Sequence, residues 1–246
     1  MCGRINVSDH PGVQQLLDFL DMPYVFEKQS KIDPELSEPR YNISPGSLLL
    51  SVFASKQVTT NAYNSAYMSW GILPEWAKPE QFSRPLINAR AESIWEKPSF
   101  QHLIKSNRAI IPVNGFYEWK RDGNNKRAFH IHSSTEPAMA LAGIYQISGD
   151  LMQCSIITTE ANPSISAVHH RMPVILDPAN FPDWLQSNDK ETLNSLMTSC
   201  PDKRISIDPV SSYVNSTHNQ GPGCLKPAEE ATKESEAPIE KQLKLF

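Results

Sequence analysis

The sequence predicts an α+β fold: one domain built on a curved β-sheet flanked by short helices, followed by a disordered C-terminal tail. Two observations carry this for the body of the chain. One is a long series of short β-prone runs punctuated by Gly, Asn, Asp and Pro, and the other is a handful of short stretches with helical spacing. A third observation, a single break in composition at Lys226, sets the tail apart.

Taken in order, "RINV" near the start is strand-like, and "GVQQLLDFL" spaces its apolar residues for one face of a short helix. "SLLLSVFA" and "YMSWGIL" read as strands, and "SFQHLIKS" as a helix before the strand "RAIIPVN". "FYEWK" and "RAFHIHS" follow as strands, with "KRDGNNKR" between them as a hairpin turn. "MALAGIYQI" and "MQCSIITT" are strands again, and "NFPDWLQS" and "KETLNSLMTS" are helical. The twenty prolines fall mostly between these runs, as expected for many loops crossing a curved sheet, and no internal repeat is present. Residues 2–225 form one domain on this reading.

Composition removes several function classes. With 246 residues, 39% hydrophobic and 20% charged, the chain can bury a real core. The longest apolar runs are far too short to span a bilayer, and no basic region followed by an apolar stretch suggests a secretory signal. The four cysteines (Cys2, Cys154, Cys200, Cys224) lack paired spacing and read as reduced thiols of a cytosolic protein. A formal charge of −4 means that any nucleic-acid binding must come from a local cleft, not from a basic bulk. There is no GxGxxG and no P-loop, so no nucleotide cofactor is expected; no cofactor of any kind is.

Chemistry-bearing residues gather in a few places. Cys2 follows the initiator Met1; removal of Met1 would leave a thiol and a free α-amine on adjacent carbons, an exposed 1,2-aminothiol that no internal cysteine offers. The competing reading is a small residue in a frayed terminus. "RPLINARAESI" places Asn88 and Arg90 two apart, on one face if extended. "VNGFYEWK" sets Glu118 between aromatics, and "SAVHHRMPVIL" offers His169, His170 and Arg171 before a strand. Each cluster alone reads equally as an ordinary strand or loop. A metal site needs three or four ligands, and no Cys or His lies at helical spacing from the histidine pair. A papain-like nucleophile sits at a helix N-terminus, whereas Cys2 precedes a strand-like run.

Together the clusters are more specific. "MCGR", "YNISPG", "SWGILPEW", "INARAES", "GFYEWK" and "HHRMPVIL", in this order, closely resemble the SOS-response-associated peptidase (SRAP) family, which includes the bacterial yedK-type enzymes and vertebrate proteins that shield abasic sites. The resemblance runs from Cys2 to about Asn219 and implies a single SRAP-type domain whose curved sheet is largely antiparallel with a barrel-like core. It implies that Met1 is removed, by the protein itself or by another enzyme, and that Cys2 captures the ring-opened aldehyde of an abasic site in single-stranded DNA as a thiazolidine. An α-amine, with an ordinary pKa near 8, is far more nucleophilic at neutral pH than a lysine near 10.4. Glu118 is implied as the proton-moving acid, His169 as the catalytic histidine that assists sugar ring opening, and Asn88 as the group orienting the amine or the sugar. Arg4, Arg90 and Arg171 resemble the family's phosphate contacts. Trp76, with Trp70 and Trp119, is implied to stack on or wedge beside bases flanking the lesion. "PEWAK" stands where some relatives carry a double tryptophan. A cysteine-type peptidase acting on proteins and a non-covalent reader of modified bases stay open as alternatives.

The tail divides in two. Residues 226–241, "KPAEEATKESEAPIEK", read as a disordered linker. The pentapeptide Gln242, Leu243, Lys244, Leu245 and Phe246 is similar to the bacterial sliding-clamp-binding peptide, with Lys244 departing at its most permissive position. The expected partners are abasic single-stranded DNA and, through that peptide, the replicative clamp. No membrane is expected; the protein is read as a cytoplasmic monomer, nucleoid-associated at replication forks.

Overall fold

A computed structural model describes residues 2–23, 25–26, 34–55, 62–74, 76, 84–123 and 125–228. The strands are β1 (Ile5–Val7), β2 (Arg40–Ile43), β3 (Leu48–Ala54), β4 (Tyr63–Trp70), β5 (Asn88–Arg90), β6 (Arg108–Val113), β7 (Gly115–Asp122), β8 (Asn125–Ser133), β9 (Met139–Ser148), β10 (Leu151–Glu160), β11 (Arg171–Pro173), β12 (Ile175–Leu176) and β13 (Ile205–Val210). The helices are α1 (His10–Leu17), α2 (Leu103–Ser106), α3 (Pro163–Ser166), α4 (Phe181–Gln186) and α5 (Lys190–Leu196).

Strands β3, β4, β6, β9 and β10 close on themselves. β4 pairs with β3, β3 with β6, β6 with β9 and β9 with β10, all antiparallel, and β10 returns to β4 through a short parallel pairing at Gln153 and Cys154. The result is a small barrel. Its interior is tight enough that β9 reads "MALAGIYQI": a methyl group on Gly143 would lie 2.8 Å from Ile111 Cδ1 and 3.3 Å from the Ser155 carbonyl. Pro112 sits inside β6 at no cost, because pairing with β3 has ended by Ile110 and its missing N–H deprives no partner.

The remaining strands form an open sheet in the order β13-β8-β7-β1-β2. The chain crosses from barrel to open sheet at Asn114, between β6 and β7. Its side chain ties the crossing: Oδ1 accepts from Ser8 and Asp9 N–H at 2.8 and 2.9 Å, and Nδ2 donates to the Pro137 carbonyl at 2.9 Å. On the far side of the barrel, buried Arg108 donates to carbonyls at the ends of α2 and α4, among them Lys105 at 2.7 Å and Ser187 at 2.6 Å. A cation there also satisfies the negative ends of both helices.

Most predicted elements are present. Asp9 caps α1 by accepting from Gly12 N–H, and the β7–β8 hairpin closes with Asp122 opposite Asn125 and Gly123 at φ +57°. Other expectations need correction. The helix predicted over "SFQHLIKS" is confined to Leu103–Ser106, and β13 and α3 were not predicted. Lys226–Ala228, assigned to the linker, lie along β13: the Lys226 carbonyl accepts from Ser211 N–H, and Ala228 N–H donates to Pro209. The rest of the predicted linker and the pentapeptide 242–246 lie outside the described residues. Among the described residues no helix is long and apolar enough to cross a membrane.

Candidate active site

Cys2 lies at the junction of barrel and open sheet. It leads into β1, which pairs with β7 through Ile5 opposite Phe116, and Tyr117 N–H donates to the Arg4 carbonyl at 2.8 Å. The segment before Arg4 therefore runs back along β7 towards Glu118. Cys2 is 0% exposed, a correction to both readings of it as a surface residue. Asn88 Nδ2 donates to the Cys2 carbonyl at 2.9 Å and fixes its backbone from the barrel side. Burial pushes the Cys2 thiol above the ordinary thiol range and the Glu118 carboxylate adds to the push, while the amino terminus and a hydrogen bond from Arg4 oppose it. The thiol is thus held neutral. Glu118 itself is buried on β7.

The opposite wall comes from β5, β10 and β11. β5 runs parallel to β10, with Asn88 beside Ile156 and Arg90 beside Thr158. β11 runs antiparallel on the other edge, with Arg171 opposite Glu160 and Pro173 opposite Thr158. One strand so gathers Asn88, Arg90 and the His169–Arg171 corner. His169 and His170 stack with ring centroids 4.4 Å apart. His169 Nδ1 lies 3.0 Å from the Arg171 N–H and 3.1 Å from the Arg171 carbonyl. A donor and an acceptor at one ring nitrogen serve both states: a neutral Nδ1 accepts from the N–H, and a protonated one donates to the carbonyl. The His170 pKa is lowered, first by its neighbour His169 and further by burial, the amino terminus, Arg171 and Arg90.

The other expected DNA contacts divide sharply. Arg90 and Trp76 are exposed. Trp119 is half-buried on β7, its Nε1 donating to Asn215 Oδ1 at 2.7 Å, with the Arg4 guanidinium 5.4 Å from its ring centroid. Arg4 is pinned by Asn42 Oδ1 at 2.6 Å and the Val214 carbonyl at 3.0 Å. Trp70 is corrected: it is 0% exposed and its Nε1 donates to the Ile87 carbonyl, so it belongs to the core and offers no face to a base. Arg171 is also corrected. Its guanidinium is buried and its fork is filled by Glu92, with both bonds at 2.8 Å, and by the Thr158 carbonyl at 2.7 Å. It holds the corner that carries His169 and presents no free fork to a phosphate.

Sequence reasoning missed Glu92, Thr158 and Asn42. Glu92 lay inside the quoted "INARAES", but nothing local marks its partner. The Thr158 hydroxyl and Asn88 Oδ1 are buried without a hydrogen-bond partner among the described residues. Such atoms beside a reactive group are where a substrate's polar atoms would be received. Among the described residues no group of three or more His, Cys, Asp or Glu is placed to hold a metal.

Known proteins resemble this chain in sequence and in fold. A family model described as SOS response associated peptidase (SRAP) matches residues 1–217. Abasic site processing protein YoqW of Bacillus subtilis (strain 168) is 35% identical over 238 residues, covering 92% of this chain and 99% of that protein. Abasic site processing protein HMCES of Gallus gallus is 30% identical over 224 residues, covering 78% of this chain and 67% of that protein. A crystal structure of a protein from Bacteroides thetaiotaomicron, 24% identical, superposes with a TM-score of 0.77, covering 93% of this chain and 100% of that one. That likeness shows the shared fold.

Proposed function

The chain belongs to the SOS response associated peptidase family, and from that membership we propose that it processes abasic sites in DNA by capturing them covalently at Cys2. The observation that carries the reading is the placement of Cys2: its carbonyl is held by Asn88, its thiol feels the Glu118 carboxylate, and β10, which carries Asn88 through β5, also pairs with β11 at the His169–Arg171 corner. Once Met1 is removed, the Cys2 α-amine attacks the C1′ aldehyde of the ring-opened sugar to give a carbinolamine. Loss of water gives an imine; the thiol then adds to the imine carbon and its proton passes to nitrogen, closing a five-membered thiazolidine. One water leaves per crosslink.

The raised thiol pKa supports this order. A neutral thiol leaves the first attack to the amine, whereas a cysteine peptidase needs a thiolate paired with a cation. Glu118 takes the proton released when the amine adds and returns one to the departing hydroxyl. His169, held through Nδ1 in either state, moves the proton that opens the sugar ring. Arg4 and Arg90 take phosphates, Trp76 and Trp119 stack on flanking bases, and the substrate is single-stranded DNA. The protein acts as a monomer in the cytoplasm, and residues 242–246 bring it to the sliding clamp.

The test is denaturing electrophoresis after mixing the protein with an abasic single-stranded oligonucleotide. Wild type forms a denaturant-resistant adduct, Cys2→Ala forms none, and Cys2→Ser leaves at most an imine trappable by borohydride. Intact mass showing Met1 retained in crosslinked protein would overturn the mechanism. For the tail, deletion of residues 242–246 abolishes clamp binding and leaves crosslinking to free oligonucleotides intact.

A further inference from the structure

The segment "KRDGNNKR", marked above only as a turn, gathers four exposed cations at the tip of the β7–β8 hairpin. The register sets Lys120 opposite Arg127 and Arg121 opposite Lys126. Like charges directly opposite each other weaken a β-ladder, and a chain of net charge −4 has no bulk excess of cations that would place them there by default. Among the described side chains no carboxylate forms an ion pair with any of the four.

Strand alternation puts Arg121 and Lys126 on the same face as Trp119. Lys126 Nζ stands 4.5 Å from the Trp119 ring centroid, and Arg4 approaches the same ring from its own segment. Glu118 and Arg121 are three residues apart on one strand, about 10 Å at strand rise, and alternation sets them on opposite faces of it, so a nucleic-acid strand that reaches both must pass round the edge of β7. That path takes at least three stacked nucleotide steps of roughly 3.4 Å each.

We propose that the β7–β8 hairpin tip is a second contact for the captured DNA strand, holding backbone phosphates on one side of the lesion through Arg121 and Lys126 while Trp119 receives a flanking base. The proposal rests on the reading of the site as a DNA-capturing one. An aromatic ring set among cations fits a polymer that alternates planar bases with phosphates; an acidic peptide would use the cations and leave the ring idle.

The test uses the full chain and the double variant Arg121→Gln/Lys126→Gln. Removing a facing like-charge pair leaves thermal stability equal or higher, so a folding defect is not the expected outcome. Two oligonucleotides carry near opposite ends either the abasic site, for crosslinking rates, or a non-reactive tetrahydrofuran analogue of it, which is titrated by fluorescence anisotropy across a salt series. With the oligonucleotide that extends towards the hairpin, the slope of log K against log salt falls by about 1.4, from two phosphate contacts at roughly 0.7 each. The half-saturating DNA concentration rises several-fold and the limiting crosslinking rate is unchanged. With the oligonucleotide that extends the other way, variant and wild type coincide. An equal loss on both would mean a general charge effect and overturn the proposal, as would an unchanged slope on both. An equal loss of binding to polyglutamate would make the tip a generic anion surface and overturn it too. Failure of wild type to crosslink either abasic oligonucleotide is a separate result that overturns the reading of the site.

Discussion

Strand β10 of the barrel is paired along both edges, meeting β4 and β5 on one side and β9 and β11 on the other. Its residues from Gln153 to Thr159 are buried without a break. In the open sheet β13 and β2 are edges, and the sheet is stitched by polar groups: His130 to Asn6 at 3.0 Å, His132 to Asp208 at 2.8 Å, and Asn42 to the carbonyls of Ser216 and Asn219, both at 2.8 Å. Apolar closure gives a frame with one packed solution. Polar stitching gives geometry that a proton or a phosphate can change. The candidate site takes one wall from each: Asn88 and His169 stand on the frame, Cys2 and Glu118 on the sheet.

The largest expected effect breaks the site from either wall. Glu118→Gln and His169→Ala should each slow crosslinking by about 10²–10⁴-fold without unfolding the domain. His170→Ala, on the exposed side of the same stack, should do much less. If quenched time courses put both principal variants within twofold of wild type, neither residue is catalytic.

Next come two glycines, one in each region. A methyl group on Gly115, in the open sheet, would lie 2.1 Å from His130 Nε2 and 2.8 Å from the Ile131 carbonyl. On Gly143, in the barrel, it meets mainly the movable end of Ile111. Gly115→Ala should therefore cost about 3 kcal/mol and Gly143→Ala nearer 1 kcal/mol, by urea denaturation. The reverse order would mean that the barrel, not the polar sheet, is the less forgiving packing.

His130 sharpens the contrast through pH. Burial, aided by His132, lowers its pKa to about 4, against the small opposing pull of Asp208. The unfolded chain takes up a proton as pH falls through about 6.5, while the native chain refuses it until about 4. Stability from this group is therefore complete above pH 6.5 and is lost as pH falls towards 4, by about 3 kcal/mol. His130→Gln should flatten that part of the profile. Equal acid sensitivity in variant and wild type would assign the loss to other groups.

The two regions also differed in legibility. Barrel strands such as "RAIIPVN" and "MALAGIYQI" are built on continuous apolar runs, and burial on both faces makes such runs plain in a sequence. The parallel return of β10 to β4 was invisible, because a two-residue pairing leaves no local pattern. β13 was missed because its Ile205, Ile207 and Pro209 alternate over half-buried positions and the proline argues against a strand; it is tolerated at the sheet edge. In the site, Asn88 and His169 were marked by motifs, and the structure brings them to one strand's two edges. Trp70 misled because a motif tryptophan looks the same whether it stacks on a base or fills a core. Glu92 was hidden because its meaning lies in Arg171, far along the chain.

The smallest effect separates two arginines that the sequence could not tell apart. Arg90 is exposed at the end of β5, and Arg171 is buried with its fork filled by Glu92. A phosphate contact releases counterions and a buried pair does not, so Arg90→Ala should lower the salt slope of single-strand binding by about 0.7. Arg171→Ala should leave the slope nearly unchanged. Its effect falls instead on the crosslinking rate, because the Arg171 backbone holds His169 Nδ1 and the lost guanidinium strands Glu92 and the Thr158 carbonyl. A slope lowered equally by both substitutions would show that DNA displaces Glu92 from Arg171. The barrel corner would then be as adaptable as the open sheet.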